Sequence, residues 1–176
     1  MNEIVKKNGI QYGVITGIIS VLITAGIYAI DLSLFTSMWL GIGLILFYMT
    51  MGVLVIRSAK KQLNGNITFK EAFTTFFISL IVGIIISVTF NIILFNFIDP
   101  AAKETIKELI LKSTAEMMEK FGAKSSDINE AIKKMEEKDQ FSIGELLKGS
   151  IFNILFSSIY GLILAAIFKT KPSNRD

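Results

Sequence analysis

The chain has 176 residues, 52% of them hydrophobic and 19% charged, and a formal net charge of +3. A soluble domain carries about 25% charge, so these figures and a mean hydropathy of +0.58 exclude an ordinary soluble fold and predict a membrane protein. Cys and His are both absent, which removes disulfides, thiol catalysis, haem on His or Cys, iron–sulfur clusters, most zinc sites and the commonest general base.

The apolar residues fall in four blocks, at about 10–30, 34–56, 72–98 and 146–168. Each exceeds the roughly 20 residues that a helix needs to cross a hydrocarbon core. None carries a charged residue in its interior, Lys148 standing at the edge of the fourth. Backbone groups in lipid must pair within their own segment, and runs such as Ser79–Val88 do not alternate as barrel strands do. Each block is therefore predicted as a spanning helix.

The first block follows Lys6 and Lys7. It is longer than the roughly 7–15 apolar residues of a signal peptide and lacks a small-x-small cleavage site, so it reads as a retained helix. The second block ends at Arg57. Asn64-Gly65-Asn66 is a turn cluster. Thr68-Phe69-Lys70-Glu71 reads as a capping box opening the third helix: the hydroxyl accepts from the Glu71 amide and the carboxylate reaches back to the cap amide.

Asp99-Pro100 opens an extramembrane insert over residues 99–145, with Asp as N-cap and Pro at the first helical position. Ile106, Leu109, Ile110, Met117, Met118 and Phe121 recur at helical spacing over Ala101–Phe121, and Gly122 is the stop. Ser125-Ser126-Asp127 restarts a shorter helix with the stripe Ile128, Ala131, Ile132 and Met135. Two amphipathic helices cannot make an independent core, so their stripes must meet each other, the headgroup layer or a partner. Ser142-Ile143-Gly144-Glu145 reads as a second capping box, opening the fourth helix. The predicted whole is a single membrane domain over residues 1–176. It is an all-α membrane protein of four transmembrane helices, with an extracytoplasmic amphipathic helical hairpin between the third and fourth.

Charge sets the orientation. The N-terminal tail, the second connection and the C-terminal tail together hold nine Lys and Arg against Glu3, Glu71 and Asp176. The first connection has Asp31 and no cation, and the third, with Lys148, has nine Lys against eleven carboxylates. Cytoplasmic connections are enriched in Lys and Arg, and short ones count most. Both termini are therefore predicted inside and the insert outside. Tyr28, Phe35 and Trp39 sit at the first outer turn, where aromatic rings favour the headgroup level. The cations are dispersed at membrane edges without an aromatic–basic patch, so nucleic acid is not an expected partner.

Small and polar residues form stripes within the spans. Gly9, Gly13 and Gly17 make a doubled GxxxG in the first. Thr75, Ser79, Gly83, Ser87 and Asn91 recur at every fourth position in the third, and Gly149, Asn153, Ser157, Gly161 and Ala165 in the fourth. Small residues let backbones approach where lipid supplies no hydrophobic drive, so helix packing is the expected role, within the chain or between copies. A polar groove for a substrate is the alternative. Asn91 and Asn153 lie at matching depth, and a mutual hydrogen bond is expected.

The spans contain no intramembrane carboxylate, Lys or His, which acid–base work or a proton relay there would normally need. There is no Walker loop, dinucleotide fingerprint, metalloprotease helix or intramembrane carboxylate pair. No catalytic, cofactor-binding or metal-binding residue is assigned, no cofactor is implied, and an enzyme is not expected. The leading expectation is a small structural, interaction or accessory subunit. The alternative is a small transporter or channel component acting as an oligomer. The expected partners are the lipid bilayer and either a second copy or a membrane partner protein.

Four features resemble a known bacterial family. They are the glycine-rich first span behind a short basic tail, Arg57 closing the second span, the stretch Gly65-Asn66-Ile67-Thr68-Phe69-Lys70-Glu71-Ala72-Phe73, and the end Gly161-Leu162-Ile163-Leu164-Ala165-Ala166-Ile167-Phe168-Lys169. This layout resembles the integral-membrane family called domain of unknown function 4199, common in Bacteroidota. The resemblance implies a bacterial inner-membrane address and no particular activity or substrate.

Overall fold

The computed structural model describes residues 2–170. Lys171, Pro172, Arg175 and Asp176 of the C-terminal tail lie outside the described residues. Among those described there is no strand, and six α-helices follow in order. They are α1 (Glu3–Ile30), α2 (Met38–Gln62), α3 (Phe69–Ile93), α4 (Pro100–Lys120), α5 (Ser125–Glu136) and α6 (Ile143–Phe168). A π-helical turn, Leu94–Ile98, prolongs α3. Helices α1, α2, α3 with its extension, and α6 are each long and apolar enough to cross a membrane. They mark a multi-pass membrane protein.

Caps decide the helix limits. Asn2 Oδ1 accepts from the Ile4 amide at 3.0 Å, so α1 starts seven residues before the apolar block does. The second span begins at Met38, not Leu34: Asp31 caps a short 3-10 helix, Leu32–Thr36, and Ser37 then caps α2. At its far end α2 runs past the apolar block to Gln62, with Lys60 and Lys61 in the last turn, where cations oppose the helix dipole favourably. The chain then turns through Asn64 and Gly65 at φ 54° and 83°. The Gly65 amide returns to the Lys60 carbonyl at 2.9 Å, and glycine adopts this left-handed conformation without a Cβ penalty.

The Thr68–Glu71 capping box is complete. The Ser142–Glu145 box forms only in half. The Glu145 amide donates to Ser142 Oγ at 3.3 Å, but the Glu145 carboxylate takes Lys148 Nζ at 2.6 Å in preference to the cap amide. The Ser142 amide is already satisfied by the Asp139 carbonyl. Asp99 caps α4 as expected, its Oδ1 accepting from Ala101 and Ala102. Gly122, at φ 76°, closes that helix.

Helix α3 is central, packing on α1, α2 and α6. Helix α4 packs on α5, on the 3-10 helix and on the π-helical turn. Two buried apolar clusters result. One joins Val55, Ile56 and Ala59 of α2 to Ile67, Ala72 and Phe76 and to Leu164 and Ala165 of α6. The other, at the opposite end, joins Leu94 and Phe95 to Ala102 and Ile106 of α4, with Tyr28, Phe35 and Phe141 against it. Trp39 stays outside this cluster, 83% exposed.

Candidate functional site

The glycines of α1 press directly on α3. A Cβ at Gly9 would lie 2.8 Å from Ile78 Cβ, one at Gly13 2.7 Å from Val82 Cβ, and one at Gly17 2.8 Å from Ile86 Cβ. A Cβ at Gly13 would also come within 2.8 Å of the Ser79 carbonyl oxygen. Backbone therefore meets backbone along this seam. From α3, Thr75, Ser79 and Gly83 are buried, and Gly83 faces the backbone of Gly13 and Gly17.

The stripe of α6 behaves differently. Gly161 packs on the Phe76 ring, and Ala165 is fully buried. Ser157 is half-buried, while Asn153 and Gly149 are exposed, and nothing lies within 4 Å of a Cβ at Gly149. Geometry explains the difference. A four-residue step overshoots a 3.6-residue turn by about 40°, so four steps from Ala165 to Gly149 rotate the stripe by about 160°. Two steps, as in the α1 glycines, rotate it half as far and stay in the seam. The α3 stripe likewise leaves the interface at Ser87 and Asn91, which are only half-buried.

Where the α6 stripe turns away, the bundle opens. A cavity of about 440 Å³ lies between the two apolar clusters, near mid-length of all four long helices. Its polar lining comes from Thr16 and Ser20 of α1, Tyr48 of α2, Ser79 and Ser87 of α3, and Asn153, Ser157 and Tyr160 of α6. Phe76, Phe156, Met49 and Met51 supply part of its apolar wall. No charged residue lines it.

Most of the polar groups are already engaged. Ser20 Oγ donates to the Thr16 carbonyl at 2.8 Å and lies 2.9 Å from the Tyr48 hydroxyl. With the serine proton committed, Tyr48 donates to Ser20. Tyr160 donates to the Met49 carbonyl at 3.1 Å. Ser157 Oγ donates to Asn153 Oδ1 at 3.0 Å. The side chain of Asn91 does not reach Asn153: its Oδ1 is buried without a partner. The expected Asn91–Asn153 bond is thus corrected: the α6 stripe has rotated out of the interface at Asn153, which is exposed, while Asn91 is half-buried.

Sequence patterning missed Ser20, Tyr48 and Tyr160. Tyrosine favours the interface, so two tyrosines at mid-span were the available signal. Among the described residues, no group of three or more Asp or Glu is placed to hold a metal ion.

A second constellation ties the far end of the bundle. Thr170 Oγ1 donates to the Gly65 carbonyl at 3.1 Å and accepts from the Ile67 amide at 2.9 Å. The Thr170 amide donates to the Ile67 carbonyl at 2.8 Å. Lys60 Nζ donates to the Phe168 carbonyl at 2.9 Å, and the Arg57 guanidinium sits 5.7 Å from the Phe168 ring centroid, within cation–π reach. The turn before α3 and the segment after α6 are thus stitched together. The turn side of this stitch lies in the Gly65–Phe73 stretch, one of the four features of the family resemblance.

Residues 11–170 match the model of a family described as a protein of unknown function, DUF4199. The chain belongs to this family. The match takes in α2, α3 and α6 of this DUF4199 member and α1 from residue 11 onward, with the mid-bundle cavity and the Thr170 stitch. Neither the curated proteins nor the solved structures contain a match.

Proposed function

We propose that this DUF4199 member is a small non-catalytic protein of a bacterial inner membrane, of the Bacteroidota type, acting as a structural, interaction or accessory subunit. In this reading both termini are cytoplasmic, and α4 and α5 form a hairpin on the outer surface. The asymmetry of Lys and Arg between the short connections supports that orientation. The observation that carries the non-catalytic role is the wholly uncharged lining of the central cavity, since acid–base work inside a membrane normally needs a carboxylate, Lys or His. Partners are a second copy or another membrane protein. A reporter active only in the cytoplasm, fused after Ala123, should stay silent; activity there overturns the threading.

The cavity favours one second reading, a transporter or channel component acting as an oligomer. Ser79, Ser87 and Ser157 all line it. The chain has no native Cys, so single Cys residues at these positions report cleanly. Labelling by a water-soluble thiol reagent supports an aqueous path, and protection supports the accessory role.

A further inference from the structure

We propose that the mid-bundle cavity binds a neutral, carbonyl-bearing head on an apolar tail, admitted sideways from the bilayer. The inference rests on the membrane-embedded, non-catalytic reading above. At about 440 Å³ the cavity lies within the usual range for small-molecule sites. Its lining is uncharged, so a charged ligand would lose its hydration without a counter-charge.

Ser79 decides the polarity of the ligand. It is only 8% exposed and lines the cavity, yet its hydroxyl has no hydrogen-bond partner in the protein. Its neighbours on the same seam do otherwise: Thr75 donates to the Glu71 carbonyl and Ser20 to the Thr16 carbonyl. Thr16 Oγ1, on the α1 wall of the same cavity, is buried without a partner, and an unpaired hydroxyl in an apolar interior is costly. The other hydroxyl donors, on Ser20, Tyr48, Ser87, Ser157 and Tyr160, are engaged. On Asn153 the oxygen is taken by Ser157, which leaves its amide Nδ2 to donate. The three open donors, Thr16 on α1, Ser79 on α3 and Asn153 Nδ2 on α6, line one cavity, and all call for an acceptor such as a carbonyl oxygen. Two of its lining residues, Ile45 of α2 and Phe156 of α6, are 60% and 71% exposed, so the opening lies between α2 and α6 and faces lipid.

Quinones and diacylglycerol esters share this chemistry. The test is thermal unfolding of the purified full chain in detergent, with decylubiquinone, dioctanoylglycerol or tetradecane added. A saturable rise in Tm with one carbonyl probe, absent with tetradecane, is expected and identifies the source. Ser79→Ala and Asn153→Leu should each weaken that binding roughly fivefold, the value of one hydrogen bond. Asn153 is exposed, so its variant folds even if Ser79→Ala does not. No shift with either carbonyl probe, an equal shift with tetradecane, or unchanged affinity in the Asn153 variant overturns the proposal. Water-soluble labelling at a Ser79→Cys position would instead overturn the accessory reading, so the two failures are separable.

Discussion

Tyr28, in the last turn of α1, donates its hydroxyl to Asp99 Oδ2 at 2.9 Å, while Asp99 Oδ1 caps the first turn of α4. One carboxylate thus ties the end of α1 to the start of α4. The bond with Tyr28, followed by that with the Ala102 amide, holds the Asp99 carboxyl below the ordinary carboxylate range. Asp139 is lowered as well, first by its hydrogen bond from Lys103 Nζ at 2.7 Å, and that pair fixes α4 to the segment leading into α6. Asn96 Nδ2 adds a bond to the Phe141 carbonyl at 2.9 Å.

These shifts set a pH dependence. A carboxyl whose folded pKa is depressed contributes stability above its unfolded pKa, near 3.9, and loses it as pH falls through the folded value. The Tm of the detergent-solubilised protein should therefore hold steady from pH 7 to about 5 and fall below about pH 4. Asp99→Asn should lower Tm at neutral pH and reduce the acid-induced fall. An unchanged acid fall in that variant would show that Asp99 is not one of the groups responsible.

The seam between α1 and α3 should tolerate no bulk. Gly13→Leu would drive a side chain against Val82 and the Ser79 carbonyl, and overpacking of this kind costs roughly 1–3 kcal/mol. Ile18→Leu, at a half-exposed position, should change little. Thermal unfolding of both variants in detergent measures the difference, and equal stability would remove the glycines from the interface.

The four span-length helices, helices α4 and α5 and most caps were legible because each rests on local chemistry: apolar length, Thr68 with Glu71, Asp99 before Pro100, Gly122 in the left-handed region; the Ser142 box, completed only in half, was not. The cavity was not. A four-residue repeat reads as one continuous stripe in a sequence, whereas its rotation relative to neighbouring helices decides which members pack. Gly161 and Gly149 are equivalent by spacing and opposite by environment. Ser79, counted as packing material from its position, is buried as that role requires, but the state of its hydroxyl depends on contacts that no spacing reveals.

That difference gives a direct comparison. Gly161→Ala places a methyl on the Phe76 ring and should destabilise by roughly 1–3 kcal/mol. Gly149→Ala meets nothing within 4 Å and should be neutral or stabilise by up to about 1 kcal/mol through helix propensity. Chemical or thermal unfolding of the pair checks the sign at each site.

Thr170 should matter more than its exposure suggests. Thr170→Val keeps the shape but removes both side-chain bonds, leaving the Ile67 amide and Gly65 carbonyl to seek water. The expected loss is about 1 kcal/mol, with faster hydrogen exchange at the Ile67 amide. Thr170→Ser, which keeps the hydroxyl, should restore slow exchange there.

Asn91 and Asn153 provide the last test. They share a depth along their helices but not a hydrogen bond: Asn153 Oδ1 accepts from Ser157, and Asn91 Oδ1 is unpaired. Asn91→Leu removes a buried oxygen without a partner and should be neutral or stabilising, because the desolvation penalty disappears with it. Asn153→Leu loses only a bond within α6. Residues without a shared partner add their effects, so the double variant should equal the sum of the singles within about 0.5 kcal/mol. Coupling above about 1 kcal/mol in a thermal-unfolding cycle would mean that the amides meet in the membrane, closing the side of the cavity that Asn153 lines.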